Sequence, residues 1–238
     1  MGAIKNIVEQ NTLSSSTTVL ILNAIYFRGM WEQRFDKSQT IGNYVFHTST
    51  GNVLCNMMIS ENYPQTHYSE ENFLVLSLSF HESNIKIVFV VSHLYGKKKI
   101  SDIEKRFDSK KLFEIIPKLR SRSFAVRIPK FKLEYEIDLK ELLSSVGIRK
   151  MFERADFSKL FERSVPSRIE EIKQKALIEM DETGVTAAAA THIQIVPRNR
   201  NKFFVEDFIL NRTFLFFLYD STTEIIFLRG RIDNPVSK

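Results

Sequence analysis

Glu182-Thr183-Gly184-Val185-Thr186-Ala187-Ala188-Ala189-Ala190-Thr191 is the segment on which the interpretation of this chain depends. It begins with turn-forming residues and a glycine, and it continues with four alanines in a row. Alanine favours helix, but a run of small side chains also fits between two strands because it clashes with little there. A basic tip stiffened by proline follows at 196–200. We therefore expect an exposed loop that can also enter a sheet as a strand.

The composition is that of an ordinary globular protein. The chain has 238 residues, 43% of them hydrophobic and 26% charged, which suits one large domain or two small ones. The net charge is +6, but no basic run alternates with aromatic residues, so we expect no nucleic-acid partner. No stretch reaches the apolar length of a membrane span. Cys55 is the only cysteine, so no internal disulfide can form, and its methionine neighbours suggest a buried thiol.

The pattern of apolar residues predicts an α+β protein rich in antiparallel sheet. Thr17 to Phe27 is a nearly continuous apolar run, which is typical of a strand buried on both faces, and Asn23 would then be a buried amide. Ile169 to Met180 fits a helix or a strand equally well. Because strands occur along the whole chain, we expect one interwoven domain. The other expected elements are strands near 44–46, 53–59, 73–80, 85–91, 124–132, 203–208, 213–219 and 223–228, and helices near 100–119 and 137–146, the latter ended by Gly147.

The sequence carries no recognisable catalytic or metal-binding motif. The histidines are scattered, and none has the spacing to a cysteine, glutamate or second histidine that zinc sites use. There is no glycine-rich phosphate loop and no Gly-x-Ser-x-Gly elbow. We therefore expect neither catalytic residues nor metal ligands, and we predict that the protein is not an enzyme.

The opening segment, together with Asp181 before it, closely resembles the reactive-loop hinge of the serpin family, and other motifs extend the resemblance in the family's order from about Ile4 to Pro235. These motifs are Asn23-Ala24-Ile25-Tyr26-Phe27-Arg28-Gly29-Met30-Trp31 with Phe35 and Thr40 behind it, Met57-Met58, Ile128-Pro129-Lys130-Phe131-Lys132, Asp138-Leu139, Gly147, Met151-Phe152, Ala155-Asp156-Phe157-Ser158, Lys175-Ala176, Phe214-Leu215-Phe216 and Gly230-Arg231.

The resemblance implies a serpin fold with mostly antiparallel sheets, several helices and an exposed reactive-centre loop at about 182–202. A complete serpin is longer. Residues 1–238 are therefore expected to form a single serpin domain that represents the C-terminal two-thirds, without the N-terminal helices and about two strands of the central sheet.

The resemblance also implies a function, namely inhibition of a serine endopeptidase by a suicide-substrate mechanism. In that mechanism the protease cleaves the loop, and the hinge then enters the central sheet as a new strand and traps the acyl-enzyme. The hinge residues implied are Glu182, Gly184, Val185, Thr186, Ala187, Ala188, Ala189, Ala190 and Thr191, and the residues implied for the breach and shutter of the sheet are Asn23, Trp31 and Gln174.

The family's scissile bond lies about fourteen residues beyond the hinge glycine, which implies Arg198–Asn199 here. Val196, Pro197 and Arg200 complete the bait loop, and Arg200 is a competing cleavage site. An arginine at this position implies a trypsin-like target, because such proteases bind basic side chains in an acidic pocket.

Three departures from the family pattern leave an alternative open. Val185 and Gln174 stand where the family usually has threonine or serine and histidine, and the N-terminal third is missing. The alternative is a non-inhibitory or truncated serpin that acts as a binding module. We expect a monomer with no membrane partner and no cofactor; a polyanion such as heparin, bound at 97–99 and 118–122, is the one cofactor left open. An extracellular location is implied, although no signal segment is present, and a cytoplasmic one stays open.

Overall fold

The computed structural model describes residues 19–70, 72–93, 99–153, 155–157, 159, 169–185 and 207–236. The strands within this part of the chain are β1 (Val19–Tyr26), β2 (Gly29–Met30), β3 (Ile41–His47), β4 (Asn52–Glu70), β5 (Phe73–Ser79), β6 (Ile85–Ser92), β7 (Arg120–Pro129), β8 (Phe131–Asp138), β9 (Ile169–Asp181), β10 (Gly184–Val185), β11 (Phe208–Ile209), β12 (Phe214–Asp220) and β13 (Ile226–Ile232). The α-helices are α1 (Ile100–Glu104), α2 (Ser109–Ile115), α3 (Lys140–Ser145) and α4 (Lys150–Glu153), and short 3-10 turns lie at Lys37–Gln39 and Ile116–Lys118.

The described residues divide into two compact units. Those up to Phe27 and from Leu133 to Ile178 form the first unit, and those from Arg28 to Lys132 and from Glu179 onward form the second. The first unit is small. In it β1 pairs in parallel with β9, and β8 also pairs with β9. Its core contains Phe152, Ile169 and Ile172, with Leu139 and Leu143 of the α3 region packed against them.

Strand β1 differs from the sequence expectation. The apolar run does form a strand, but Ile21 and Leu22 are 38% and 43% exposed, and Asn23 is exposed as well. The prediction of a strand buried on both faces, with a buried amide, is therefore wrong. An apolar run shows that a strand can be covered, whereas actual burial depends on elements that pack against it.

The second unit is built on one large sheet, in the order β11-β7-β4-β5-β6-β12-β13, with β3 paired to β4. All neighbours in it are antiparallel except β11 and β7. The central strands β5, β6 and β12 are buried along most of their length, which explains their continuous apolar sequences. Helices α1 and α2 contribute Ile103, Leu112 and Ile115 to the core that covers this sheet. The single-domain organisation of the chain stays a prediction.

Candidate functional site

The hinge begins with a tight turn at the end of β9. Strand β9 ends at Asp181, Glu182 and Thr183 form the turn, and β10 begins at Gly184 and runs back antiparallel to β9, so that Gly184 pairs with Asp181. The Oδ1 atom of Asp181 accepts hydrogen bonds from the Thr183 N–H (2.8 Å), the Thr183 hydroxyl (2.6 Å) and the Gly184 N–H (3.2 Å). An aspartate bonded to backbone groups two and three residues ahead stabilises a turn.

Strand β10 lies between two other strands in the second unit. On one side Val185 pairs with Met180 of β9, and on the other side Gly184 and Val185 pair with Met30 and Gly29 of β2. Both pairings are antiparallel. Gly184 and Val185, which the sequence predicts to be the start of the hinge, thus form a short strand between β9 and β2.

Gly184 cannot be replaced by a larger residue in this arrangement. Its φ is +134°, a conformation that residues with a side chain rarely adopt. A Cβ atom at this position would lie 2.2 Å from the carbonyl oxygen of Gly29 and 2.7 Å from the Cα of Met30. Because both are backbone atoms of β2, they cannot rotate away. The glycine therefore allows β10 to approach β2 closely.

Glu182 is held in a polar cradle. Its side chain is 4% exposed, and the Nζ atom of Lys130 donates to both carboxylate oxygens, at 3.0 and 2.8 Å. The Thr40 hydroxyl donates to Oε1 at 2.7 Å. Burial by itself raises the pKa of Glu182, but the hydrogen bonds from Lys130 and Thr40 outweigh it and hold the pKa below the usual carboxyl value. Glu182 is therefore a buried carboxylate paired with the ammonium group of Lys130. This ion pair fixes the turn to the rest of the second unit.

The cradle residues are positioned by neighbouring strands. Lys130 is the single residue between β7 and β8, and its backbone N–H donates to the carbonyl oxygen of Asn56 on β4. Thr40 follows a 3-10 turn that Asp36 caps by accepting the Ser38 N–H. Neither side chain depends on a long loop for its position.

Trp31 is hydrogen-bonded to the backbone on both sides of the turn. It is 1% exposed, its indole N–H donates to the carbonyl oxygen of Asp181 at 2.9 Å, and its backbone N–H donates to the carbonyl oxygen of Thr183 at 3.1 Å. The indole stacks on Phe80, with ring centroids 4.9 Å apart, and meets Phe35 edge-on. Phe35 in turn donates its backbone N–H to the carbonyl oxygen of Glu182. Trp31 and Phe35 thus donate to three successive carbonyl groups, through the Trp31 indole N–H to Asp181 and through backbone N–H groups to Glu182 and Thr183.

The two residues expected at the shutter meet in the first unit. Asn23 of β1 lies directly opposite Gln174 of β9 in the parallel register, and Tyr26 lies opposite Leu177. Asn23 is exposed and Gln174 is half-buried. The structure therefore brings these two predicted residues to one point of the β1–β9 pair.

The remaining predicted site residues lie outside the described part of the chain. They are Thr186, Ala187, Ala188, Ala189, Ala190 and Thr191 of the hinge, Val196, Pro197 and Arg200 of the bait loop, and Arg198 and Asn199 of the reactive bond. The structure resumes at Asp207, whose carboxylate binds the guanidinium of Arg127, and continues into β11, which pairs in parallel with β7.

Three residues of the site were not predicted from the sequence. Thr40 and Lys130 belong to motifs that support the family resemblance, but their contact with Glu182 spans 142 and 52 residues of sequence and follows no local pattern. Asp181 could have been found, because aspartate followed by threonine and glycine two and three positions later is a turn signature.

The described residues also bear on metal binding, thiol chemistry and membrane insertion. They hold no cluster of histidine, cysteine and carboxylate side chains that could bind a metal ion. Cys55 is 3% exposed, and burial raises the pKa of its thiol to about 11, which makes it a poor nucleophile. None of the helices in the described ranges is both long and apolar enough to cross a membrane.

Comparison with known proteins agrees with this geometry. The family model for serpins (serine protease inhibitors) matches residues 1–235. Serpin-Z1B of Triticum aestivum is 28% identical over 99% of this chain, which covers 61% of that protein. Alpha-1-antiproteinase F of Cavia porcellus is 30% identical over 100% of this chain, which covers 57% of that protein. Human thyroxine-binding globulin, solved in complex with thyroxine, shares the fold with a TM-score of 0.83 at 24% identity, and the match covers 99% of this chain and 61% of that one.

The chain belongs to the serpin family, and its fold is the serpin fold. It spans about 60% of the length of the curated relatives that it matches.

Proposed function

We propose that this chain is the hinge-bearing part of an inhibitor that acts as a suicide substrate for a trypsin-like serine protease. The observation that carries the proposal is the position of β10, whose two residues already pair with β9 on one side and β2 on the other. The names of several relatives, among them serine protease inhibitor 42Dd of Drosophila melanogaster, support an inhibitory role.

The register of β10 defines where the rest of the hinge would go. Both pairings of β10 are antiparallel, so each residue forward along the hinge moves one residue back along β9 and along the chain before β2. Continued in this way, Ala188 falls opposite Leu177 and opposite Tyr26, which now pair with each other. Thr191 falls opposite Gln174 and Asn23, which are also a pair. Insertion would therefore separate β1 from β9 and place each hinge residue from Ala188 onward between an existing pair.

The alternation of side chains explains the composition of the hinge. In an inserted strand Val185, Ala187, Ala189 and Thr191 would share one face, since side chains alternate with a period of two. They are uncharged, and none is larger than valine, so the strand would demand no new pocket. Thr191 would meet the polar pair Asn23 and Gln174, which gives these two predicted residues a common role.

The depth of insertion has a structural limit. The register between β1 and β9 breaks between Val19 and Leu20. The last in-register position is therefore Gln194, opposite Leu20 and Glu171. The proposed bait residue, Arg198, would stay just beyond the inserted strand, where the cleaved chain end carries the acyl-enzyme.

The energy available is sufficient for trapping. Insertion replaces one ladder of hydrogen bonds with two, a gain of about eight to ten bonds at about 1 kcal/mol each. That is comparable with the whole stability of an ordinary domain. The uncleaved state would then be metastable and would persist because insertion of the intact loop is slow.

The proposed reactive bond is Arg198–Asn199, within a loop at about 182–202. The test is incubation with trypsin followed by electrophoresis in SDS, which we expect to show a covalent adduct. Arg198→Glu should abolish the adduct, whereas the matched change Arg200→Glu should leave it. Ala189→Arg places a long charged side chain on the face that Val185, Ala187 and Thr191 would share in the inserted strand, and it should give cleavage without adduct. If the unmodified chain is only cleaved, with no adduct at any ratio of inhibitor to protease, the proposal is wrong.

A second candidate function is that of a non-inhibitory binding protein or interaction module. The observation in its favour is the exposed apolar surface of β1, where Ile21, Leu22 and Tyr26 are each more than a third exposed. Thyroxine-binding globulin, which shares the fold, was solved with thyroxine bound, and this supports the second candidate. Nicking the loop with trypsin distinguishes the two. An inhibitory chain gains a large increment in melting temperature after cleavage, while a carrier or truncated module gains none.

The other expected properties follow from the proposed function. The partner is a trypsin-like protease outside the cell, and the inhibitor acts as a monomer without an obligatory cofactor. A polyanion such as heparin is the candidate cofactor left open for the basic segments. It would be tested by adding heparin to the reaction with trypsin: a polyanion site should make association faster at low ionic strength, and that acceleration should disappear at high ionic strength.

A further inference from the structure

The carboxylate of Asp181 is the one described side chain that bonds the backbone N–H of Gly184, the residue at which the hinge becomes a strand. It also accepts both donors of Thr183, and its own carbonyl oxygen accepts the Trp31 indole N–H. Asp181 thus connects the end of β9, the turn, the start of β10 and the side chain of Trp31.

Glu182 and Trp31 cannot replace this function. Lys130 and Thr40 hold the Glu182 carboxylate. Backbone N–H groups of Phe35 and Trp31 hold the carbonyl oxygens of Glu182 and Thr183. All of these contacts are made to residues that precede Gly184 in the chain. The direction in which the chain leaves the turn is set by the bond from the Gly184 N–H to Asp181, together with the strand pairing that follows.

We propose that Asp181 is a positioning residue that keeps the first residues of the hinge docked as β10, so that insertion of the cleaved loop extends an existing strand. This role rests on the proposed function. Starting a new strand requires several dihedral angles to be fixed before any hydrogen bond is gained, whereas extension adds bonds with each residue. Because Gly184 and Val185 are already paired with β9 and β2, the free-energy cost of starting the strand is met before cleavage. Loss of the turn would leave the cleaved hinge to find its register unaided.

The structure supplies a matched control. Asp220 ends β12, and its Oδ1 atom accepts the N–H groups of Thr222 (2.7 Å) and Thr223 (3.2 Å) in the turn before β13. This is the same chemistry between two antiparallel strands, away from the hinge. Asp220→Ala should therefore lower stability without affecting insertion.

The experiment follows insertion after the loop is nicked with trypsin, with Trp31 fluorescence as the probe because it is the single tryptophan of the chain. Asp181→Ala should insert about tenfold or more slowly than the unmodified protein, while Asp181→Asn, which retains an oxygen acceptor, should stay within about threefold. Asp220→Ala should insert at the normal rate. Hydrogen exchange of 181–185 in the uncleaved protein should become about tenfold faster in Asp181→Ala and should not change in Asp220→Ala.

The possible results separate this role from the proposed function. If the unmodified protein inserts and Asp181→Ala inserts equally fast, the positioning role is refuted and the proposed function stands. The role is also refuted if Asp220→Ala slows insertion as much, or if Asp181→Asn is as slow as Asp181→Ala, because each would indicate a general loss of stability. A protein that shows no change after nicking refutes the proposed function, and this role with it.

Discussion

The ion pair between Glu182 and Lys130 should contribute far more to stability than an exposed pair, because one partner is buried. The carboxylate side chain is 4% exposed and the lysine side chain 34% exposed. Removing one partner of a fully buried pair costs about 3–5 kcal/mol, and an exposed pair is worth about 0–1 kcal/mol. We place Lys130→Met between these limits, at about 2–3 kcal/mol, because the lysine retains partial access to water. For a chain of this size that corresponds to a loss of about 4–10 °C in melting temperature.

A double-mutant cycle isolates the interaction itself. Glu182→Gln removes the charge but keeps an oxygen that can accept from Thr40, so it should cost about 1–2 kcal/mol. The double variant leaves no buried charge, and it should be no less stable than Lys130→Met alone. The coupling energy is expected to be about 2 kcal/mol, measured from melting temperatures and from unfolding rates in urea.

The exposed pair of Lys118 and Glu114 serves as the control for this cycle. Its atoms are as close, at 2.9 Å, but both side chains are about half exposed. The cycle of Lys118→Met and Glu114→Gln should give only the small coupling of a surface ion pair. If the cycle at Glu182 gives no more than this control, then the cradle does not hold the hinge by charge and the assignment of Glu182 as an anchor is refuted.

Three further predictions concern the same region and its surroundings. Gly184→Ala should destabilise the protein by about 3 kcal/mol or more, since it combines strain at positive φ with a clash against the Gly29 carbonyl. The control is Gly51→Ala, which has a φ of +154° but open space around it and should show the strain alone. Equal melting temperatures for the two variants would contradict this reasoning. Because the pKa of Glu182 is lowered on folding, its contribution is present above the unfolded value of about 4.3 and is lost as the pH falls through the lower folded value. The difference in melting temperature between the unmodified protein and Glu182→Gln should therefore shrink below about pH 4, and a difference that is constant from pH 3 to 7 would count against the ionised cradle. Cys55 should react with iodoacetamide at pH 8 on the order of 100-fold more slowly in the folded than in the denatured protein, and equal rates would show that the thiol is not buried.

The sequence predicts local structure well where one signal dominates. Gly147 was expected to end a helix, and it does so with a φ of +97°, while Ile148 donates its N–H back to the carbonyl oxygen of Leu143. The predicted start of that helix was too early, because β8 continues to Asp138 before α3 begins at Lys140. The sequence near 137 supports either structure, and pairing with β9 decides for the strand.

Long-range pairing explains most of what the sequence left open. Ile169 to Met180 fitted a helix as well as a strand, and it became β9 because β1 pairs along it in parallel from Val19 to Tyr26. The same applies to the site. The hinge turn could be recognised from adjacent residues, whereas the contact of Thr40 and Lys130 with Glu182 results from the fold and from no local pattern.

The arrangement of the hinge separates two mechanical tasks between neighbouring residues. In the proposed mechanism the inserting strand pulls on a protease attached to its far end, so its near end must not slip. That near end is the turn, and Glu182 fixes it through the Lys130 ammonium group and the Thr40 hydroxyl, which lie next to other strands of the second unit. Asp181 does not bear this load, because its carboxylate bonds only to Thr183 of the same turn and to Gly184 at the start of β10. Weakening Glu182 should therefore reduce the fraction of protease that is trapped, whereas weakening Asp181 should slow insertion, and the two effects can be measured independently in one chain.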